Sequence, residues 1–79
     1  DYGITLDGFT DSQGSDQVNE SLSRKRAEAI ANYLKANGIS EKRILFYGNG
    51  ERDPLSTNET EKGRKENRRV EIRMTLLRV

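Results

Sequence analysis

The sequence contains no cysteine and no histidine. The first absence removes disulfides and thiolate metal sites. The second removes the commonest metal ligand and the commonest general base. There is one proline, Pro54, and no run of residues is long and apolar enough to span a bilayer as a helix. Charge of one sign is also missing: 14 basic and 13 acidic residues leave a net charge of +1, which exerts no overall pull toward nucleic acid or an anionic membrane. Hydrophobic residues are scarce, at 32% of 79 positions against 34% charged. That allows one small domain (residues 1–79), which buries about 60–65% of its unfolded surface and has a thin stability margin. The opening at Asp1, without Met, reads as a piece of a longer protein, so the lack of a signal peptide carries no information on compartment.

What is present is patterned. Residues 2–7 alternate weakly, with Ile4 and Leu6 on one face, and predict a short strand. The segment GFTDSQGSD that follows is rich in Gly, Ser and Asp and predicts a loop. Asn19 to Asn37 predicts an amphipathic helix, with Asn19, Ser21 or Ser23 as its cap and Gly38 as the left-handed residue that ends it. Residues 43–47 form a second, nearly continuous apolar strand. Strand, helix, strand in this order is a βαβ unit with parallel strands. Asn58 and Glu61 have capping-box spacing, which predicts a short helix from Glu59 to about Glu66. Val70, Ile72, Met74 and Leu76 alternate with Arg69, Glu71, Arg73 and Thr75, the cleanest period-2 pattern in the chain. It predicts a strand with one buried face, fraying at Leu77.

One residue in the long helix is out of place. At roughly 100° per residue, Leu22, Ala29, Ile30, Tyr33 and Leu34 gather on one side of the helix, and Arg26 falls among them. A guanidinium keeps its proton at any ordinary pH and is costly to bury unpaired. Arg26 therefore needs a carboxylate or a mouth open to water; the carboxylate is either a neighbouring acid such as Asp11 or one belonging to a ligand. Tyr33, Phe46 and Tyr47 are expected to pack in the core. Three strands and one long helix leave part of a sheet uncovered, so a further strand and helix are expected before Asp1.

Four motifs then stand in a known order: GFTDSQG (8–14), NESLSRKRA (19–27), YGNGERDP (47–54) and GRKENRRVEI (63–72). Together they closely resemble the OmpA-like peptidoglycan-binding domain of porin tails, wall-associated lipoproteins and flagellar stator proteins, over nearly the whole chain. The resemblance implies an α+β two-layer sandwich of β-α-β-α-β-β order, of which this chain supplies the second strand onward (β-α-β, short helix, β). It implies a non-catalytic domain without metal or cofactor that grips meso-diaminopimelate in the stem peptide of peptidoglycan. Carried over by motif, Asp11 meets the ligand's ammonium, with Thr10 beside it, and Arg26 meets the carboxylate. Asn19 and Arg68 complete the set, with Arg68 favoured over Arg69 because Arg68 shares the core-facing side of Val70. Phe9 stands where the family usually has His and is expected to alter packing only. The resemblance also implies peptidoglycan rather than nucleic acid as partner. It implies a periplasmic setting in a Gram-negative bacterium and a membrane-anchored parent, with a homodimer as one assembly open to it.

The chemistry is coherent with these residues. Diaminopimelate carries an ammonium and a carboxylate on one carbon, so it calls for one anion and one cation held close together. Asp11 lies in the loop at the carboxyl end of the first strand, where ligands bind in parallel βαβ units. An arginine–carboxylate contact is directional and stronger than a neutral hydrogen bond. The alternative reading is a small nucleic-acid-binding module using Arg64–Arg73 as a basic strip; the last strand offers Arg, Glu and Thr rather than aromatics on its outer face. The segment DSQGSD lacks the spacing of a calcium loop. Gly48-Asn49-Gly50 opens no phosphate-binding helix. Glu51 and Asp53 lie in one loop rather than opposed across a cleft, as a glycosidase requires.

Overall fold

The computed structural model describes residues 2–76; Leu77, the expected point of fraying, lies outside the described residues. The elements are β1 (Tyr2–Gly8), α1 (Asp16–Ala36), a single 3-10 turn (Glu41–Arg43), β2 (Ile44–Gly48), α2 (Glu61–Asn67) and β3 (Val70–Leu76). The strands form one sheet in the order β2-β1-β3, with β1 parallel to β2 and antiparallel to β3. The architecture is the expected α+β one: a sheet with α1 packed on one face.

Register explains which side chains meet the helix. Ile4 lies opposite Ile44, Leu6 opposite Phe46 and Gly8 opposite Gly48. On the other side of β1, Ile4 lies opposite Met74, Leu6 opposite Ile72 and Gly8 opposite Val70. Directly opposed residues share a face, so all of these point toward the α1 layer. The core is Ile4, Leu6 and Ile44 against Ala27 and Ala31, flanked by Ile30, Leu34, Ile39, Phe46 and Val70.

The helix meets the sheet through small residues, which overturns part of the expected stripe. The buried positions of α1 are Asn19, Ser23, Ala27 and Ala31. Leu22 and Tyr33 are exposed, at 39% and 68%, and so is Ala29. The reason is close backbone approach. A Cβ on Gly8 would collide with the Ser23 carbonyl, and one on Gly48 would lie 2.5 Å from the Glu20 carbonyl oxygen. Helix and sheet approach too closely for large side chains between them, and the larger apolar residues are displaced to the flanks. Of the three aromatics expected inside, only Phe46 packs against the core; Tyr47 is half-exposed on the opposite face of β2.

The caps also differ from expectation. Ser15, not Asn19, Ser21 or Ser23, caps α1, its hydroxyl accepting from the Val18 N–H, and the helix begins at Asp16. The C-terminal end is as expected, with Asn37 as cap and Gly38 at φ +97°. Thr60 rather than Asn58 caps α2, accepting from the Gly63 N–H, so α2 starts two residues late. Asn58 instead turns its side-chain oxygen to the Asn67 amide and the Ser12 N–H. Finally, β3 runs over the expected residues, but its apolar face is not buried. Ile72, Met74 and Leu76 are 57%, 65% and 62% exposed, because α1 lies over β1 and β2 and barely reaches β3.

Candidate functional site

The loop after β1 carries the first expected residues. Its backbone is fixed from both sides: the Phe9 N–H donates to the Arg69 carbonyl at 2.8 Å and the Thr10 N–H to the Gly50 carbonyl at 2.7 Å. Phe9 is buried, and the Arg69 guanidinium sits 4.0 Å from its ring centroid, a cation–π contact. Phe9 thus packs the loop against the start of β3. Thr10 is buried and its hydroxyl donates to the Asp11 carbonyl at 2.9 Å, so Thr10 fixes the loop rather than opening to solvent.

Asp11 is buried at 6% exposure and both of its carboxylate oxygens are engaged. Oδ1 accepts from the Gln13 N–H at 3.0 Å, and Oδ2 accepts from Arg68 Nη1 at 2.7 Å. Burial pushes this carboxyl up, but the Gln13 N–H, the Arg68 guanidinium and the positive charge of Arg64 outweigh it, and its pKa lies below the ordinary carboxylate value. Asn19, on the first turns of α1, is buried and points its amide at the Asp11 carbonyl, a long contact of 3.5 Å. Asn19 supports the loop from the helix side.

Arg26 lies two turns further along α1, at the edge of the buried face. Its Nη1 is shut off from solvent and has no hydrogen-bond partner among the described residues. Asp11 is paired with Arg68 instead, so the simple alternative of an Asp11–Arg26 structural pair does not hold. Buried donors are almost always satisfied, which marks this guanidinium as a cation in want of an acceptor.

The structure therefore brings Asp11, Thr10, Asn19 and Arg68 into one connected group, while Arg26, two turns along α1 from Asn19, has a buried Nη1 with no acceptor among the described residues. Glu61 belongs to the group and is not evident from the motifs. Its Oε1 accepts from Arg68 Nη2 at 2.7 Å, and its Oε2 accepts from Arg64. The contacts from Arg68 and Arg64 lower the Glu61 pKa and those from Glu61 and Asp11 raise that of Arg68. The signal in the sequence is a spacing of seven, two helical turns, between Glu61 and Arg68. Asn67, wholly buried, ties the loop to α2: it accepts from the Ser56 N–H and donates to the Ser56 carbonyl and to Asn58. The arginines of the basic strip are all engaged with acids: Arg64 with Glu61, Arg68 with Asp11 and Glu61, Arg69 with Glu71, Arg73 with Asp7. Two surface grooves, of about 300 and 510 Å³, lie on the other flank of α1 among Glu20, Arg24, Tyr47, Asn49 and Arg52 and involve none of these site residues.

Known proteins share both sequence and fold with this chain. The model of the OmpA family matches residues 1–68. The peptidoglycan-binding protein ArfA of Mycobacterium tuberculosis is 43% identical over 72 residues, which is 91% of this chain and 22% of ArfA. Outer membrane protein A of Bordetella avium is 45% identical over 65 residues, 82% of this chain and 34% of that protein. The crystal structure of the peptidoglycan-associated lipoprotein from Burkholderia pseudomallei superimposes with a TM-score of 0.90 at 27% identity, covering 94% of this chain and 63% of that one. The chain spans about a fifth to a third of the length of these two curated relatives. On the match over residues 1–68, the chain belongs to the OmpA family.

Proposed function

We propose that this chain is a non-catalytic module that binds peptidoglycan through the meso-diaminopimelate of the stem peptide. The observation that carries the reading is the buried, unpartnered Nη1 of Arg26 on the helix that follows a loop carrying a buried aspartate. A ligand carboxylate would supply the acceptor that Arg26 lacks, and Asp11 is the anion for the ammonium on the same carbon. Relatives named for peptidoglycan binding or association support the reading. In this reading the module tethers a membrane-anchored parent to the cell wall in the periplasm of a Gram-negative bacterium. We also propose that in the parent a preceding strand and helix cover Ile72, Met74 and Leu76, since these form an apolar face in the helix layer that α1 does not reach.

Co-sedimentation with purified sacculi tests the clamp. Arg26→Ala and Asp11→Ala are each expected to abolish pelleting with the wall. Arg26→Lys is expected to bind poorly because it loses the planar fork. If both alanine variants pellet as well as the parent does, the clamp is wrong. An amide-shift titration with a diaminopimelate-containing stem peptide, against a lysine-containing one, then tests the specificity.

A further inference from the structure

Arg68 already does to Asp11 what a ligand ammonium would do. Its Nη1 holds Asp11 Oδ2 at 2.7 Å, while the remaining oxygen, Oδ1, is fixed by the Gln13 N–H. Each carboxylate oxygen can accept a further hydrogen bond, but Asp11 is only 6% exposed, so an incoming ammonium competes with Arg68 for the Oδ2 side. The guanidinium has a second anchor, Glu61 Oε1, also at 2.7 Å. Glu61 stands in the first turn of α2 and Arg68 is the cap residue at its other end. Arg64 holds the other Glu61 oxygen, so Glu61 is itself fixed.

We infer that Arg68 is an internal stand-in for the ligand's ammonium, and that Glu61 is the positioning residue that retains the Arg68 guanidinium when the ligand takes Asp11. The inference rests on the wall-binding reading above and deepens it. Its consequence is specificity. Among Asp11, Glu61, Arg64 and Arg68 the charges balance, and Arg26 stands outside this count as the cation for the ligand carboxylate. A ligand end carrying only an ammonium displaces Arg68 Nη1 and leaves it without an acceptor, with one positive charge in excess. A ligand end carrying ammonium and carboxylate on one carbon keeps the balance, and its carboxylate, shared with Arg26, offers the displaced Nη1 a new acceptor. Arg68 thereby adds to the preference for diaminopimelate over lysine that Arg26 begins, and Glu61 keeps Arg68 close enough to do so.

The test is a double-mutant cycle read by calorimetric titration with diaminopimelate- and lysine-containing stem peptides. Glu61→Gln is expected to weaken diaminopimelate binding about fivefold, the scale of one exposed charge pair. Arg68→Gln is expected to narrow the affinity gap between the two peptides without closing it, since Arg26 still meets the carboxylate. In the Arg68→Gln background, Glu61→Gln is expected to have no further effect, which a merely structural role for Glu61 would not produce. A ligand-free measurement supports the cycle: in Glu61→Gln, Arg68 rests wholly on Asp11, and the Asp11 carboxyl should titrate at lower pH by carbon-detected NMR. Parent-like binding by Glu61→Gln, or an undiminished Glu61→Gln effect without Arg68, overturns the inference and leaves the wall-binding reading standing. Failure of the parent to bind either peptide overturns both.

Discussion

The two halves of the sheet are held by different forces. On the β1–β2 side, α1 presses small side chains onto glycine-bearing strands, and Ile4, Leu6, Ile44, Ala27 and Ala31 form a dry apolar contact. On the β3 side no helix among the described residues covers the sheet, and Ile72, Met74 and Leu76 are exposed. What holds that side, apart from the β1–β3 ladder, is polar: Arg69 on Phe9, Arg68 between Asp11 and Glu61, and Asn67 across the α2 loop. The lesson is that the apolar half supplies stability while the polar half carries the candidate site. The ion pairs there that remain partly exposed, such as Arg68 with Glu61 and Arg69 with Glu71, contribute little net stability.

The comparison breaks first at Gly8. Gly8→Ala drives a Cβ into the Ser23 backbone carbonyl, where nothing flexible can move aside. We expect a loss of about 3 kcal/mol, the upper range for overpacking, read by urea denaturation; a near-neutral result would mean that helix and sheet are not in tight contact. The next effect in size belongs to the polar half. Asn67→Ala removes three hydrogen bonds in a fully buried position and should cost about 2 kcal/mol, with loss of amide protection at Ser56. A smaller loss than for an exposed asparagine would show that the polar half is not a structural unit.

Acid titration sharpens the contrast further. Asp11 and Glu61 are both held below their ordinary carboxylate values. Groups depressed in the folded state stabilise it fully above their unfolded pKa, about 4, and lose that contribution as pH falls through the folded values. Thermal melts should therefore fall from about pH 4 downward, and the double variant Asp11→Asn, Glu61→Gln should show a shallower slope there. An unchanged slope would remove both carboxylates from the stability of the polar half. The smallest effect is expected at Ile72→Thr, on the bare face. In this chain it should change stability by less than about 0.5 kcal/mol, since the side chain is already 57% exposed. In a longer parent whose preceding segment covers β3, the same substitution should cost clearly more. Equal costs in the two would argue against the proposed cover.

Particular residues show how much was legible beforehand. The alternation in β3, the βαβ pairing and the glycine stop at Gly38 were all readable, because each depends on neighbours in sequence. The burial of β3 was misread because alternation reports that a face is apolar, not that something lies on it. The helix stripe was misread for a related reason: hydrophobic periodicity favours Leu22 and Tyr33, whereas the true contact runs through Ser23, Ala27 and Ala31, selected by closeness to Gly8 and Gly48. Among site residues, the motifs point to Asp11, Asn19, Arg26 and Arg68, yet nothing local says that Asp11 lies against Arg68, 57 residues away, rather than against Arg26.

By itself the sequence determined the order of elements, the family and the chemical types at the site, since these follow from local periodicity and motif spacing. Only the tertiary structure decided which cation neutralises Asp11, that Glu61 shares it, and that Arg26 is left with a buried donor unmet. The physical reason is range. Secondary structure is written in contacts a few residues apart, whereas the pairing of charges depends on which loops the β1–β3 ladder and the Phe9–Arg69 backbone bonds bring together.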